Sequence, residues 1–213
     1  MNKSIYIFAL LFAASTLFTS CDSNEEIEVA SNVDNPAGVV INDIRWATRN
    51  VDYPGTFAQH PESAGRFFQW GTPLGGDTHH WAATGEVTDW NSDGTRVAWT
   101  LANNPCPEGW RLPTEEELRS LSSAGSVRAQ RNGVNGRLFG TAPDQIFLPA
   151  VGWRYNTTGA LNTMGVSGHY WSSTPIGIGI GAEYAMHLSI NSPASSVVAL
   201  NRANGFSVRC VAE

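Results

Sequence analysis

The tightest constraint on how this 213-residue chain can fold is the run Asn104-Pro105-Cys106-Pro107-Glu108-Gly109-Trp110-Arg111-Leu112-Pro113-Thr114-Glu115-Glu116-Glu117-Leu118. Thr114 and Glu117 form a Thr-x-x-Glu capping box, in which the hydroxyl takes the third backbone N–H and the carboxylate reaches back to the cap's own. Glu115, Glu116 and Glu117 fill the first turn, where the positive end of the helix dipole favours carboxylates. Leu118 and Leu121 give a narrow apolar stripe, and Gly125 is the expected stop. The natural partner of this segment is the terminal stretch Gly205-Phe206-Ser207-Val208-Arg209-Cys210-Val211, where alternation puts Phe206, Val208 and Cys210 on one face.

The N-terminus reads as a leader. Met1-Asn2-Lys3 is a basic start, residues 5–18 are an apolar run too short to span a bilayer comfortably, and Leu17-Phe18-Thr19-Ser20-Cys21 ends it in small residues before a cysteine. The pattern resembles the lipobox of bacterial lipoproteins, which implies a signal peptide over residues 1–20 and lipidation of Cys21. Two or more acyl chains give stable anchoring. Residues 21–36 hold Asp22, Glu25, Glu26, Glu28 and Asp34 with no basic residue, the composition of a solvated, flexible tether. Acidic residues just after such a cysteine resemble the surface-export signal of Bacteroidota lipoproteins. That resemblance implies a lipid-anchored position on the outer membrane, facing outward.

With Cys21 lipidated, the remaining cysteines are Cys106 and Cys210, in a chain delivered to an oxidising compartment, and a disulfide between them is expected. The only lysine, Lys3, lies in the leader, so the mature chain has no amine for Schiff-base chemistry or a Walker-type phosphate loop. Past the tether the charges nearly balance, which gives no basic face for nucleic acid.

Residues 37–213 read as one domain. Helix signals are sparse, with a second, weaker candidate near 97–102, while Gly, Asn, Ser and eight tryptophans point to short strands joined by long ordered loops. Strands are expected near 38–42, 146–152, 169–173, 196–200 and along the terminal stretch. A half-buried strand is expected where Tyr184, Met186, Leu188 and Ile190 alternate with Ala185, His187 and Ser189. The run Ile176-Gly177-Ile178-Gly179-Ile180-Gly181 reads as a loop.

Six ordered motifs carry a resemblance that covers almost all of this domain: Trp46-Ala47-Thr48-Arg49-Asn50, Phe67-Phe68-Gln69-Trp70-Gly71, the stretch from Pro105 to Leu118, Phe147-Leu148-Pro149-Ala150-Val151-Gly152-Trp153-Arg154, His169-Tyr170-Trp171-Ser172-Ser173-Thr174 and the terminal strand. Their order resembles the Fibrobacter succinogenes major paralogous domain family. The resemblance implies an α+β, C-type lectin-like fold, with short antiparallel strands, long ordered loops and one or two helices. It implies an extracellular binding or adhesion role by association.

Three sets of residues invite a site. Asp89-Trp90-Asn91-Ser92-Asp93-Gly94 matches the start of a calcium loop, with Asp89, Asn91 and Asp93 as oxygen ligands, although Thr100 stands where the bidentate Glu belongs. The same residues fit a polar turn. The Glu-Pro-Asn type signatures of calcium-bridged sugar binding are missing. Trp81, Trp90 and Trp99 lie in a Gly/Thr/Asp-rich region, and exposed indoles stack on sugar rings or fill protein hot spots; loop packing is the competing account. Asp77-Thr78-His79-His80 has no further ligand spacing behind it, and His169 and His187 read as histidines of a core or sheet face.

No enzyme is expected. The thiols are committed to a bond, Ser172 and Ser173 beside His169 do not make a nucleophile arrangement, and nothing pairs Asp77, Asp89, Asp93 or Asp144. The leading expectation is a cell-surface binding module for an extracellular glycan or protein, with no cofactor unless calcium. A structural component of the envelope is the second reading and a hydrolase the third.

Overall fold

A computed structural model describes residues 34–71, 81–82, 85–87, 90, 92, 98–177, 183–191 and 194–213. Among them the elements run β1 Val39–Ile41, β2 Ile44–Trp46, β3 Phe67–Gln69, β4 Trp81–Ala82, β5 Trp110–Arg111, α1 Glu115–Ser123, β6 Ser126–Arg131, β7 Val134–Thr141, β8 Asp144–Pro149, β9 Trp153–Arg154, β10 Leu161–Asn162, β11 Gly168–Ile176, β12 Tyr184–Ile190, β13 Ser195–Asn201, β14 Gly205–Phe206 and β15 Val211–Ala212. They form four small antiparallel sheets, ordered β1-β2-β15-β5, β10-β9-β14-β3-β4, β11-β12-β13 and β6-β7-β8.

This corrects the expected α+β, C-type lectin-like class: the described chain is mostly β, with one nine-residue α-helix, and stands closer to all-β. Two local features account for the difference. The second helix candidate is only a 3-10 turn, Leu101–Asn103, which starts at a capping box in which the Asn103 carboxamide oxygen accepts from the Thr100 backbone and hydroxyl. The segment after α1 is a β6–β7 hairpin that the strand assignment lacks. Its signal was present: Asn132 and Gly133 both adopt positive φ, 47° and 79°, as a two-residue turn of the tight hairpin type requires.

The capping box closes as its chemistry dictates. Thr114 Oγ1 accepts from Glu117 N at 3.2 Å and Glu117 Oε2 accepts from Thr114 N at 2.7 Å. Both Glu117 oxygens also accept from Arg111, at 2.8 and 2.7 Å, which ties α1 to β5. Leu118 and Leu121 are buried, and α1 packs on β11, β12 and β13.

The alternation in β12 does more than separate inside from outside. Tyr170 of β11 and Leu188 of β12 lie opposite each other and, with Ile190, join a core that includes Trp46, Phe139 and the helix leucines. Trp171 and His187, the next pair along, point the other way, where Trp171 and Ala185 join a second core of Trp70, Phe206 and the disulfide. Six of the seven residues of β12 are therefore buried, not the half expected, because both faces of the strand are covered.

Cys106 and Cys210 are bonded, with Cα atoms 6.1 Å apart across 104 residues of sequence. The last segment is not one strand. β14 pairs with β3 and β9, β15 pairs with β2 and β5, and the stretch between them crosses from one sheet to the other. Phe206, Val208 and Cys210 do share one core, but Ser207 and Arg209 are buried too. Arg209 donates to Asn50 Oδ1 at 3.0 and 2.7 Å and to the Ala47 carbonyl at 3.2 Å, and burial pushes its pKa down to about 10. Trp70 and Trp171 donate to the carbonyls of Ser172 and Phe68 at 2.7 and 2.6 Å. The motifs quoted above thus interlock with one another, which makes them a statement about architecture.

Candidate binding surface and buried histidine pair

Trp153-Arg154-Tyr155 opens a hairpin at the edge of the five-stranded sheet. β9 pairs with β10, and Tyr155 N continues the ladder to the Ala160 carbonyl at 2.9 Å. Alternation turns the arginine inward and the two rings to the opposite face. Arg154 is fully buried: its guanidinium donates to the carbonyls of Gly159, at 2.6 Å, and Gly85, and lies over the Phe67 ring at 5.7 Å. Burial lowers its pKa. Gly159, at φ 68°, completes the tip, and a Cβ there would meet the Trp90 ring at 2.8 Å, so only glycine fits.

On the outward face Trp153 is partly exposed and Tyr155 is 45% exposed, with ring centroids 5.8 Å apart at 63°. The turn that follows passes beside Gly152 and exposes Met164 at 55% and Val166 at 66%. Elsewhere Phe57 and Trp110 meet edge-on, with ring centroids 5.5 Å apart, against the second core, and Tyr53 is exposed. There the Arg66 guanidinium sits 3.7 Å over the Tyr53 ring and occupies that face.

Behind Trp153 lies a polar chain that runs inward. Thr163 Oγ1 contacts Ser167 Oγ at 2.6 Å, Ser167 Oγ contacts His169 Nε2 at 3.3 Å, and His169 Nδ1 contacts His187 Nε2 at 3.1 Å. The imidazoles stack with centroids 5.2 Å apart, His169 lies 5.7 Å from the Trp153 ring, and Phe206 packs 5.0 and 4.6 Å from the two histidines. Burial pushes His169 down to about 4. It pushes His187 down to about 3, with the neighbouring His169 charge adding to the shift. Both rings are neutral at physiological pH, and in the short contact one nitrogen donates and the other accepts. His187 Nδ1 faces the Val198 backbone without a hydrogen bond of ordinary geometry.

Ser167, His169 and His187 share the connectivity of a nucleophile, a base and an orienting group. The environment argues against that use. Ser167 is 7% exposed and is already bonded to Thr163, and an imidazole held near pKa 4 is a weak base at neutral pH. The chain is an interior hydrogen-bonded network, with His187 Nδ1 left without a partner of ordinary geometry, that lies behind the Trp153 ring.

The residues singled out in the sequence fall elsewhere. Cys21, Asp89, Asn91 and Asp93, with Asp77, His79 and His80, lie outside the described residues. Thr100, the twelfth position of the calcium pattern, bonds to Asn103. Trp81 pairs with Phe68 in β4. Trp90 is 8% exposed; it donates to the Ala203 carbonyl at 3.1 Å and packs against Gly159 and Gly205, so its ring is a packing element. Trp99 is partly buried, edge-on to Trp70 at 5.9 Å. Among the described residues no group of three or more His, Cys, Asp and Glu could hold a metal. Trp153 and Tyr155 were missed because Trp153 sits in a motif that otherwise packs the core.

The family model that matches is a domain of unknown function, DUF8237, over residues 141–211. That stretch, about a third of the chain, contains the β9–β10 hairpin, both histidines and Arg209. No curated protein and no solved structure matches the chain.

Proposed function

We propose that this protein is a lipid-anchored binding module, held on the outer membrane through Cys21 and facing outward, that recognises an extracellular glycan or protein on the Trp153–Tyr155 surface. The observation that carries the reading is the inversion at the hairpin. The charged residue is buried and two aromatic rings are turned outward over a rigid, hydrogen-bonded support. Large aromatic side chains left partly exposed on an ordered element supply contact area at low entropic cost, which is the chemistry of a binding hot spot. The leader and the acidic tether support the anchored, outward position.

The test has two arms. Radiolabelled fatty acid should enter the full chain in cells and not the Cys21→Ser variant, and external protease should reach the domain on intact cells. Purified protein should bind members of a panel of glycans and extracellular proteins, and Tyr155→Ala should weaken that binding without lowering the melting temperature. Binding that is indifferent to both Trp153→Ala and Tyr155→Ala removes the surface from consideration.

A further inference from the structure

We infer that the ligand of this surface is a soluble, neutral glycan bound without calcium; the inference rests on the binding role proposed above and narrows its ligand class. Charge is the first argument. From residue 155 to 182 the sequence contains no Asp, Glu, Lys or Arg. Arg154, the cation of the hairpin, is turned inward onto two backbone carbonyls. An anionic polysaccharide or an acidic protein face is recognised by guanidinium or ammonium groups, and this stretch of the chain supplies neither. A carboxylate to carry a bridging calcium is equally missing from the stretch.

The second argument is hydrogen bonding. Asn162 lies directly across the hairpin from Trp153, and its Nδ2 donates to the Ala160 carbonyl at 2.9 Å, while Oδ1 accepts no hydrogen bond among the described residues. Among the described residues, Asn156 and Thr157 make no hydrogen bond through their side chains. Neutral amides and hydroxyls beside an aromatic ring match sugar hydroxyls around an apolar ring face.

The third argument is shape. The Trp153 and Tyr155 rings meet at 63°, with centroids 5.8 Å apart, on the order of one sugar unit. Flat crystalline polysaccharide needs coplanar rings, because its sugar faces are coplanar. A corner fits a twisted chain in solution, with one sugar face on the indole and the next turned toward the phenol.

Affinity electrophoresis and calorimetry of the purified full chain decide this, with soluble neutral glucans, mannans and galactans, with anionic glycans (polyuronates and sulfated chains), and with microcrystalline cellulose and chitin. The expected result is binding to at least one soluble neutral glycan, unchanged by chelator and by half-molar salt, and weakened about tenfold or more by Trp153→Ala, the loss typical of a truncated aromatic anchor. Tyr155→Ala, on an exposed side chain, repeats the test if Trp153→Ala unfolds. Binding only to anionic glycans with steep salt dependence, only to crystalline surfaces, only to a protein, or only with calcium overturns the inference and leaves the binding module standing. Failure of every ligand class in the wider panel overturns the binding role itself.

Discussion

Acidification from pH 8 to pH 5 should strip several kilocalories per mole from this fold, and the loss should trace to two residues. An unfolded histidine titrates near 6.5. In the fold, His169 is held down at about 4 and His187 at about 3, by burial. The unfolded chain therefore binds more protons than the folded one between those limits. The sign follows: the stabilising contribution is complete above pH 6.5 and is lost progressively as pH falls toward the folded values. At pH 5 each unfolded histidine is almost fully charged while the folded pair stays almost neutral, which gives about 2 kcal/mol per residue and about 4 kcal/mol for the pair. Against a typical stability of about 5–15 kcal/mol that is a large fraction. Glu117, lowered by its bonds to Arg111 and Thr114, and Glu62, lowered by Asn132 and Arg131, lose their contributions only below about 4.5. The window from 6.5 to 5 thus belongs to the histidines. Urea unfolding of the oxidised protein at half-unit steps should show the fall, and a His169→Phe/His187→Phe variant should flatten the slope whatever its absolute stability. A wild-type curve that is level between pH 8 and pH 5, or an unaltered slope in the double variant, refutes the account of a neutral buried pair.

Three further outcomes are expected. Cys106→Ala/Cys210→Ala should lower stability by about 3–5 kcal/mol in urea melts, since the bond closes a loop of 104 residues; an unchanged midpoint contradicts it. Arg209→Lys keeps the charge but cannot reproduce the paired bonds to Asn50 and Ala47, and a loss of about 2–3 kcal/mol in thermal or chemical unfolding is expected. Thr114→Ala removes the helix cap and should destabilise by about 1 kcal/mol, with Thr114→Ser close to wild type; equal losses from both would discount the hydroxyl.

What was readable in the sequence was whatever depends on neighbours in the chain. The Thr114 to Glu117 box set the helix start, because a cap is made from groups three residues apart. β11, β12 and β13 stand near their expected positions, because alternation is a property of the strand alone. β6 and β7 were legible through Asn132-Gly133 but were masked by the charged, glycine-containing strands around the turn. The surface was not legible. Trp90 lay in a stretch read as loop and is packed between two glycines, whereas Trp153, within a core-packing motif, packs against the second core and stays only partly exposed.

By itself the sequence determined the capped helix start and the pairing of Cys106 with Cys210. Tertiary structure decided that β12 is covered on both faces, that His169 and His187 meet, and that Arg154 points inward while Trp153 and Tyr155 point out. The reason is physical. Periodicity fixes which residues share a face of a strand, but which face is buried depends on what packs against it, and here those partners come from segments far apart in the chain.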